Sequence, residues 1–369
     1  MKVVFLLTQD RGGPADLTVS LAKELSGRAD GPKVTIVGPP PVSGAGLPED
    51  LLQPVHVRSK SDLRGFMSVG ALLARLAPDI IHAQDRRAGL VSALVARTKA
   101  PVVHTFHGVP DSAAGRWVKA GPLLGRHPGV SGGSRLIADA LLARRVGCTV
   151  APSRAMAAYL HHELRVPQDR LQVLHNGVSI PARHKQVTCI RTFVTVGSFE
   201  PCKATPVLVE AFLALTAHRE GLRLRMVGEG SDRRRCEELA ELAGAGDVEF
   251  PGYRTDVDAQ LAQADVFVLP SLNENLPLAL LQAMAMGLPC IASDVGGISE
   301  VLDAGCGILV TPGDAGSLRA AMERMIAEPD LAARLGAMAR QRVAERFSLP
   351  RCADDHVRLW SEILTGGRG

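Results

Sequence analysis

Aromatic residues are scarce in this chain: phenylalanine, tryptophan and tyrosine together make up 4% of its 369 residues. So few ring faces argue against a stacking platform for single-stranded nucleic acid, and no nucleic-acid partner is expected. Long apolar runs are missing too. Val3 to Leu7, behind Met1-Lys2, is cut short by Gln9-Asp10-Arg11, so it reads as a first strand and not as an export signal. Any membrane contact is expected to be peripheral at most. The seven cysteines, at 148, 189, 202, 236, 290, 306 and 352, show no C-x-x-C spacing. Several lie in apolar runs, where cysteine behaves as a small hydrophobe, so a reducing cytoplasm is the expected compartment. Strong charge of one sign is absent as well. A net charge of +4 is only a mild basic bias, compatible with anionic small molecules.

What remains is a folded α/β chain. With 46% hydrophobic residues, 369 residues suffice for two domains, each with its own core. Short branched runs at Lys2 to Leu7, Val34 to Val37, Ile80 to His82, Val102 to Thr105, Thr149 to Ala151 and Leu171 to Leu174 read as strands with helical patterns between them. This alternation predicts a doubly wound parallel sheet. An aperiodic stretch, Val178 to Ile190, reads as a linker. A second series then opens at Thr192 to Val196 and continues through Leu224 to Val227, Val248 to Tyr253, Val266 to Leu269, Cys290 to Ala292 and Gly307 to Val310. The expected domains are 1–182 and 190–349, with the last helix, in 350–369, crossing back to brace the first.

Both series begin with a strand and a glycine-bearing turn: Gly12-Gly13-Pro14 in one, Gly197 to Lys203 in the other. Neither has the G-x-G-x-x-G spacing, so a nicotinamide dinucleotide site loses its main support. Paired glycines still let a backbone approach a diphosphate closely. Lys203 is expected at the front of the helix Thr205 to Leu215, where a cation and the helix dipole act together on phosphate. The chain is organised around 265–300. There a buried strand ends at Pro270-Ser271, a polar loop carries Glu274, and Pro277 opens the apolar helix Leu278 to Met286. Gln282 is the polar exception in that helix, so burial would oblige it to find a partner.

Glu274, seven residues, then Gln282, with the run to Val301 behind them, resemble the donor-binding signature of the retaining glycosyltransferases of family 4, the glycogen-synthase-like group. The resemblance implies a GT-B fold, two Rossmann-like doubly wound domains facing a central cleft. It also implies transfer of a sugar from a nucleotide diphosphate, with UDP the commonest donor base, to a small-molecule, lipid or glycan acceptor. A nucleotide sugar would be co-substrate, with no cofactor. No Asp-x-Asp pair is assigned to a strand end, in keeping with the metal-free character of this fold. Carried over by position, Glu274 holds the donor sugar and His107, in Thr105-Phe106-His107-Gly108, lies beside it. Gly12, Gly13 and Lys203 face the diphosphate, the backbones of Asn275 and Leu276 reach sugar or phosphate, and Pro277 offers none. Gln282 binds the ribose, and Tyr253 and Arg254 lie near the base.

Two positions depart from the signature. Ser198 stands where the family has arginine, and Gln282 stands where it has a second glutamate. Arg254 or a basic residue of the first domain is a possible substitute for the missing guanidinium. Retention of Glu274, Lys203 and His107 favours an enzyme. The departures leave open a nucleotide-sugar binder or partner subunit without turnover, and an epimerase is a third reading. His82 and His104 read as structural. The irregular, arginine-rich stretch Pro110 to Arg145 is the candidate acceptor region.

Overall fold

The computed structural model describes residues 1–44, 46–95, 100–108, 139–140, 142–217, 219–242, 247–302 and 305–366. Most of the candidate acceptor region, including Arg116, Trp117, Lys119, Arg126, His127 and Arg135, lies outside them. Among the described residues the chain forms two compact units. The first runs to Gly177 and resumes at Leu349, and the second comprises Val178–Ser348.

The first unit is a seven-stranded sheet. Its strands are β1 (Lys2–Leu6), β2 (Lys33–Gly38), β3 (Leu52–Pro54), β4 (Ile80–Ala83), β5 (Val102–Thr105), β6 (Cys148–Ala151) and β7 (Leu171–Val173). The order is β3-β2-β1-β4-β5-β6-β7, and every pairing is parallel. Strands β4 and β6 are buried at every position, which explains their mostly apolar sequence, with His82 and Thr149 the polar exceptions. Two elements were not anticipated. Strand β3 is a three-residue edge containing Pro54, too short for an alternation signal. The helix Leu63–Leu76 is started by Asp62, whose carboxylate accepts from the Gly65 N–H.

The closing helix, Leu349–Gly366, packs on this first unit, as the resemblance implied. Arg28 bonds Asp354 at 2.6 Å and the Pro350 carbonyl at 3.1 Å. The fully buried Trp360 meets Phe5 edge-on at 5.7 Å and donates its indole N–H to His82 Nδ1 at 3.3 Å. His82 Nε2 then bears the proton and donates to Thr105 Oγ1 at 2.7 Å. His104 is likewise buried, its ring 4.3 Å from that of Phe106. The absence of a side chain at Gly89 makes room for it, since a Cβ there would lie 2.8 Å from the imidazole. Both rings thus serve as core residues.

The second unit is a six-stranded parallel sheet in the order β10-β9-β8-β11-β12-β13. Its strands are β8 (Thr192–Val196), β9 (Arg223–Val227), β10 (Val248–Gly252), β11 (Val266–Leu269), β12 (Cys290–Ser293) and β13 (Ile308–Val310). The stretch read as a linker belongs to this unit and packs on it. Val187 and Ile190 are buried in its core. Lys185 pairs with Asp265 at 2.7 Å and donates its backbone N–H to the Met286 carbonyl, while the Pro181 carbonyl accepts from Arg340. Irregular backbone hid a packed segment, because periodicity reports helices and strands only.

Among the described residues no cysteine takes part in a disulfide, and five are buried. No helix among the described residues is long and apolar enough to cross a membrane.

Burial lowers the pKa of His82, His104 and His356 below the ordinary histidine value. In the unfolded chain these rings take up protons near pH 6.5, so below that pH the unfolded state binds more protons than the native state. Their contribution is therefore complete above about pH 7 and is lost as pH falls through about 6.5 towards the lower native values, by up to about 1.4 kcal/mol per pH unit for each ring. Urea unfolding followed by tryptophan fluorescence should show a midpoint that falls steadily between pH 7 and pH 5. A flat midpoint would contradict neutral burial.

Candidate active site

The second sheet reverses its winding between β8 and β11. In open parallel sheets, ligands bind outside the carboxyl ends of the strands at such a reversal. Chain leaving β8 passes through Gly197 to the one-turn 3-10 helix Pro201–Lys203, and chain leaving β11 runs from Pro270 to Pro277. The two loops are laced together, because the N–H groups of Leu272 and Asn273 both donate to the Cys202 carbonyl, at 2.8 and 3.3 Å. Above that lacing, Lys203 Nζ lies 2.5 Å from Glu274 Oε1, and Ser271 Oγ donates to the same oxygen at 2.8 Å. Glu274 and Ser271 are buried, whereas Lys203 is half-buried. Burial of a carboxylate is offset here by a cation and a hydroxyl donor in contact with it.

Lys203 ends the turn just ahead of the following helix, as expected. Ala204 intervenes in the left-handed region at φ 48° before Thr205–Thr216 begins. That conformation costs an alanine about 1 kcal/mol. It turns the chain so that the lysine faces Glu274.

Neighbouring loops are held just as closely. Phe199 N–H donates to the Glu229 carbonyl at 2.8 Å, and Asp232 N–H donates back to the Phe199 carbonyl at 2.7 Å. A Cβ on Gly228 would lie 1.8 Å from the Gly197 carbonyl oxygen, and one on Gly230 would lie 2.5 Å from Phe199 backbone. These glycines permit loop-to-loop contact and are not remnants of a dinucleotide fingerprint. On the other side, the Asn275 carbonyl accepts from Gly297 N–H at 2.9 Å, tying in the turn after β12. Asn275 and Leu276 are buried in this lacing, and Pro277 forms the N-cap of Leu278–Ala285, one position earlier than expected.

Several expectations are corrected. Gln282 is half-exposed, and its amide makes no side-chain hydrogen bond among the described residues, so burial does not oblige it to find a protein partner. Arg254, the candidate substitute for a guanidinium at Ser198, is exposed and bonds Asp256 at 2.8 and 2.9 Å. That pairing lowers the Asp256 pKa to about 2. Asp256-Val257-Asp258 is an Asp-x-Asp that follows β10 closely, contrary to the sequence reading. Its first carboxylate is held by Arg254 and also accepts from Gln260 at 3.2 Å. Tyr253 is exposed beside it, and Ser198 is exposed after Gly197.

The first unit repeats the arrangement at its own reversal, between β1 and β4. Thr8, after β1, donates its N–H and its hydroxyl to the two oxygens of Asp85, at 2.6 and 2.7 Å. Asp85 also caps the helix Arg86–Val95 by accepting from Ala88 N–H at 2.8 Å. Gly12, at φ 89°, caps the helix Gly13–Ser26, and both glycines are exposed at its start. His107 follows β5, half-buried, with Nε2 3.0 Å from Gln84 Oε1. Desolvation, and then the neighbouring His104 and His356, hold its pKa below the ordinary value, so the ring is neutral at pH 7. Ser271, Gln84 and Asp85 were missed in the sequence. The available signal was position, since each lies within two residues of the carboxyl end of a buried strand.

Two family models match this chain. "Glycosyltransferase Family 4" covers residues 11–180, and "Glycosyl transferases group 1" covers 190–328. The chain is 29% identical to the D-inositol 3-phosphate glycosyltransferase of Thermobispora bispora over 335 residues, which are 82% of this chain and 75% of that protein. It is 30% identical over 229 residues to the exopolysaccharide phosphotransferase of Streptomyces coelicolor, covering 61% of this chain but only 24% of that protein's length. Among solved structures, Anabaena HepE in complex with UDP-glucose superposes with a TM-score of 0.81 at 19% identity, covering 98% of this chain and 100% of that one.

Lys203→Met would leave the buried Glu274 carboxylate without this cation, and should cost about 3 kcal/mol at neutral pH. Glu274→Gln keeps an acceptor for Ser271 and lets the half-exposed ammonium turn to water, and should cost about 1 kcal/mol. Urea titration of the two variants measures the difference. Equal losses would mean that the pair does not hold these loops.

Proposed function

The chain belongs to the family 4 glycosyltransferases, and we propose that it moves a sugar from a nucleoside diphosphate to an acceptor nucleophile, with retention at the anomeric carbon and without a metal ion. The observation that carries this reading is the Lys203–Glu274–Ser271 cluster at the winding reversal of the second unit. A cation and an anion in contact there suit a donor that is anionic at one end and hydroxylated at the other. The arriving diphosphate competes with Glu274 for Lys203, and sugar hydroxyls take the place of the ammonium on the carboxylate. Glu274 is then an acceptor that orients the sugar.

As the bond to the leaving phosphate breaks, negative charge grows on the diphosphate. Within the second unit, Lys203 and the N–H groups at the start of Thr205–Thr216 are the preorganised groups that would receive it. Donors of this kind are typically worth about 10²–10³ in rate each. Neutral His107 would pack beside the donor sugar as a hydrogen-bonding group. UDP is the donor nucleotide favoured on this reading, and the similar HepE structure holds UDP-glucose. Gln282 retains an acceptor for a ribose hydroxyl, a neutral bond worth about 1 kcal/mol.

Purified protein incubated with a panel of nucleotide sugars, without added metal, should release nucleoside diphosphate slowly from one donor, and Glu274→Ala should be silent. Donor binding without release would favour the non-catalytic binder, and conversion to an isomeric nucleotide sugar would favour the epimerase. Restoring a guanidinium by Ser198→Arg should tighten nucleoside diphosphate binding about tenfold, because a charge-assisted bond exceeds a neutral one by about 1–2 kcal/mol. Calorimetric titration of both proteins reads the change, and an unaltered Kd would remove Ser198 from the diphosphate site.

A further inference from the structure

Gln84 is the first residue past β4 and is 1% exposed. Its backbone N–H donates to the Leu6 carbonyl at 3.0 Å, which fixes it against the end of β1. Its side-chain oxygen takes the contact with His107 Nε2 at 3.0 Å. The remaining half of the amide, Nε2 with two N–H groups, is buried without a hydrogen-bond partner. A buried donor left without a partner is costly, and native structures mostly satisfy such a group with protein, water or ligand. The orphan lies at the winding reversal of the first unit, one residue from the Thr8–Asp85 bonds that hold the turn leading to Gly12 and Gly13.

We propose that Gln84 is a ligand-binding residue of the first unit. Its carboxamide nitrogen donates to a neutral oxygen of the bound sugar substrate, and its carboxamide oxygen fixes His107 as the Nε2–H tautomer. With Nε2–H committed to Gln84, the lone pair of His107 is on Nδ1, so that ring nitrogen accepts from a substrate hydroxyl. One residue thereby supplies a donor and sets its neighbour as an acceptor, a combination that suits a polyol and not a phosphate. The ligand half of this proposal rests on the glycosyltransferase reading, whereas the histidine half does not.

Imidazole nitrogen-15 spectra of the free, full-length protein should show His107 neutral and protonated on Nε2 at pH 7. A resonance pattern for Nδ1–H would overturn the assignment whatever the protein's activity. Gln84→Glu keeps the acceptor for His107, so the tautomer should persist with a raised imidazole pKa, but the donor is lost. Turnover of the nucleotide sugar identified with the wild-type protein should then fall about tenfold in kcat/KM. Gln84→Met removes the orphan and the acceptor together. It should melt within a few degrees of wild type, lose the fixed tautomer and show a similar fall in kcat/KM. Unchanged kcat/KM per folded molecule in both variants would assign Gln84 to packing alone. Absence of turnover by the wild-type protein with every donor would remove the parent reading and the ligand half with it, while the free-protein spectrum still decides the histidine half.

Discussion

The reversal of winding order beside the first strand of each sheet governs where polar chemistry can gather in this protein. In the first unit the chain winds outward from β1 through β2 and β3, then returns to the other side at β4. In the second it winds from β8 through β9 and β10, then returns at β11. The loops leaving the two strands at that point run to opposite faces of the sheet, so no helix covers the gap between them. Groups exposed there must find each other or a ligand. Thr8 finds Asp85 in one unit, and Lys203 finds Glu274 in the other.

These two contacts differ in what they do. Asp85 is saturated by three local donors, two from Thr8 and one from Ala88, so it fixes two loops and leaves little for a substrate. Glu274 receives Lys203 and Ser271 on a single oxygen. An ion pair at a buried carboxylate is weak evidence for stability, because desolvation offsets much of the attraction. Its retention where ligands bind fits a site whose partners exchange. The left-handed Ala204 agrees with this, since a strained backbone position beside Lys203 persists only because surrounding contacts over-determine it.

Much of this architecture was legible in the sequence. Buried parallel strands such as Val266–Leu269 and Cys290–Ser293 are apolar at most positions and stop at turn residues, so both their existence and the order of loops could be read. What escaped had other causes. Strand β3 is shorter than any period, and 178–190 packs through Val187, Ile190 and backbone bonds that carry no pattern. Gln282 was read as lying in a helix buried on all sides, yet its amide is half-exposed. Gln84 belongs to no motif. Its importance comes from an unpaired nitrogen, which only three-dimensional bookkeeping of donors can reveal.

The two departures from the family signature make physical sense together. Serine in place of arginine at 198 removes one positive charge from the donor side, and glutamine in place of glutamate at 282 removes one negative charge, so the formal charge of the motif residues is unchanged. Each loss alone would unbalance the site. A guanidinium without the second carboxylate would over-attract phosphate, and a carboxylate without the guanidinium would repel it. With both gone, Lys203 and Glu274 are the charged pair that these motif positions retain, and they are already in contact. On the proposed reading, donor recognition would rest more on one lysine–glutamate pair and on neutral hydrogen bonds than the family signature implies.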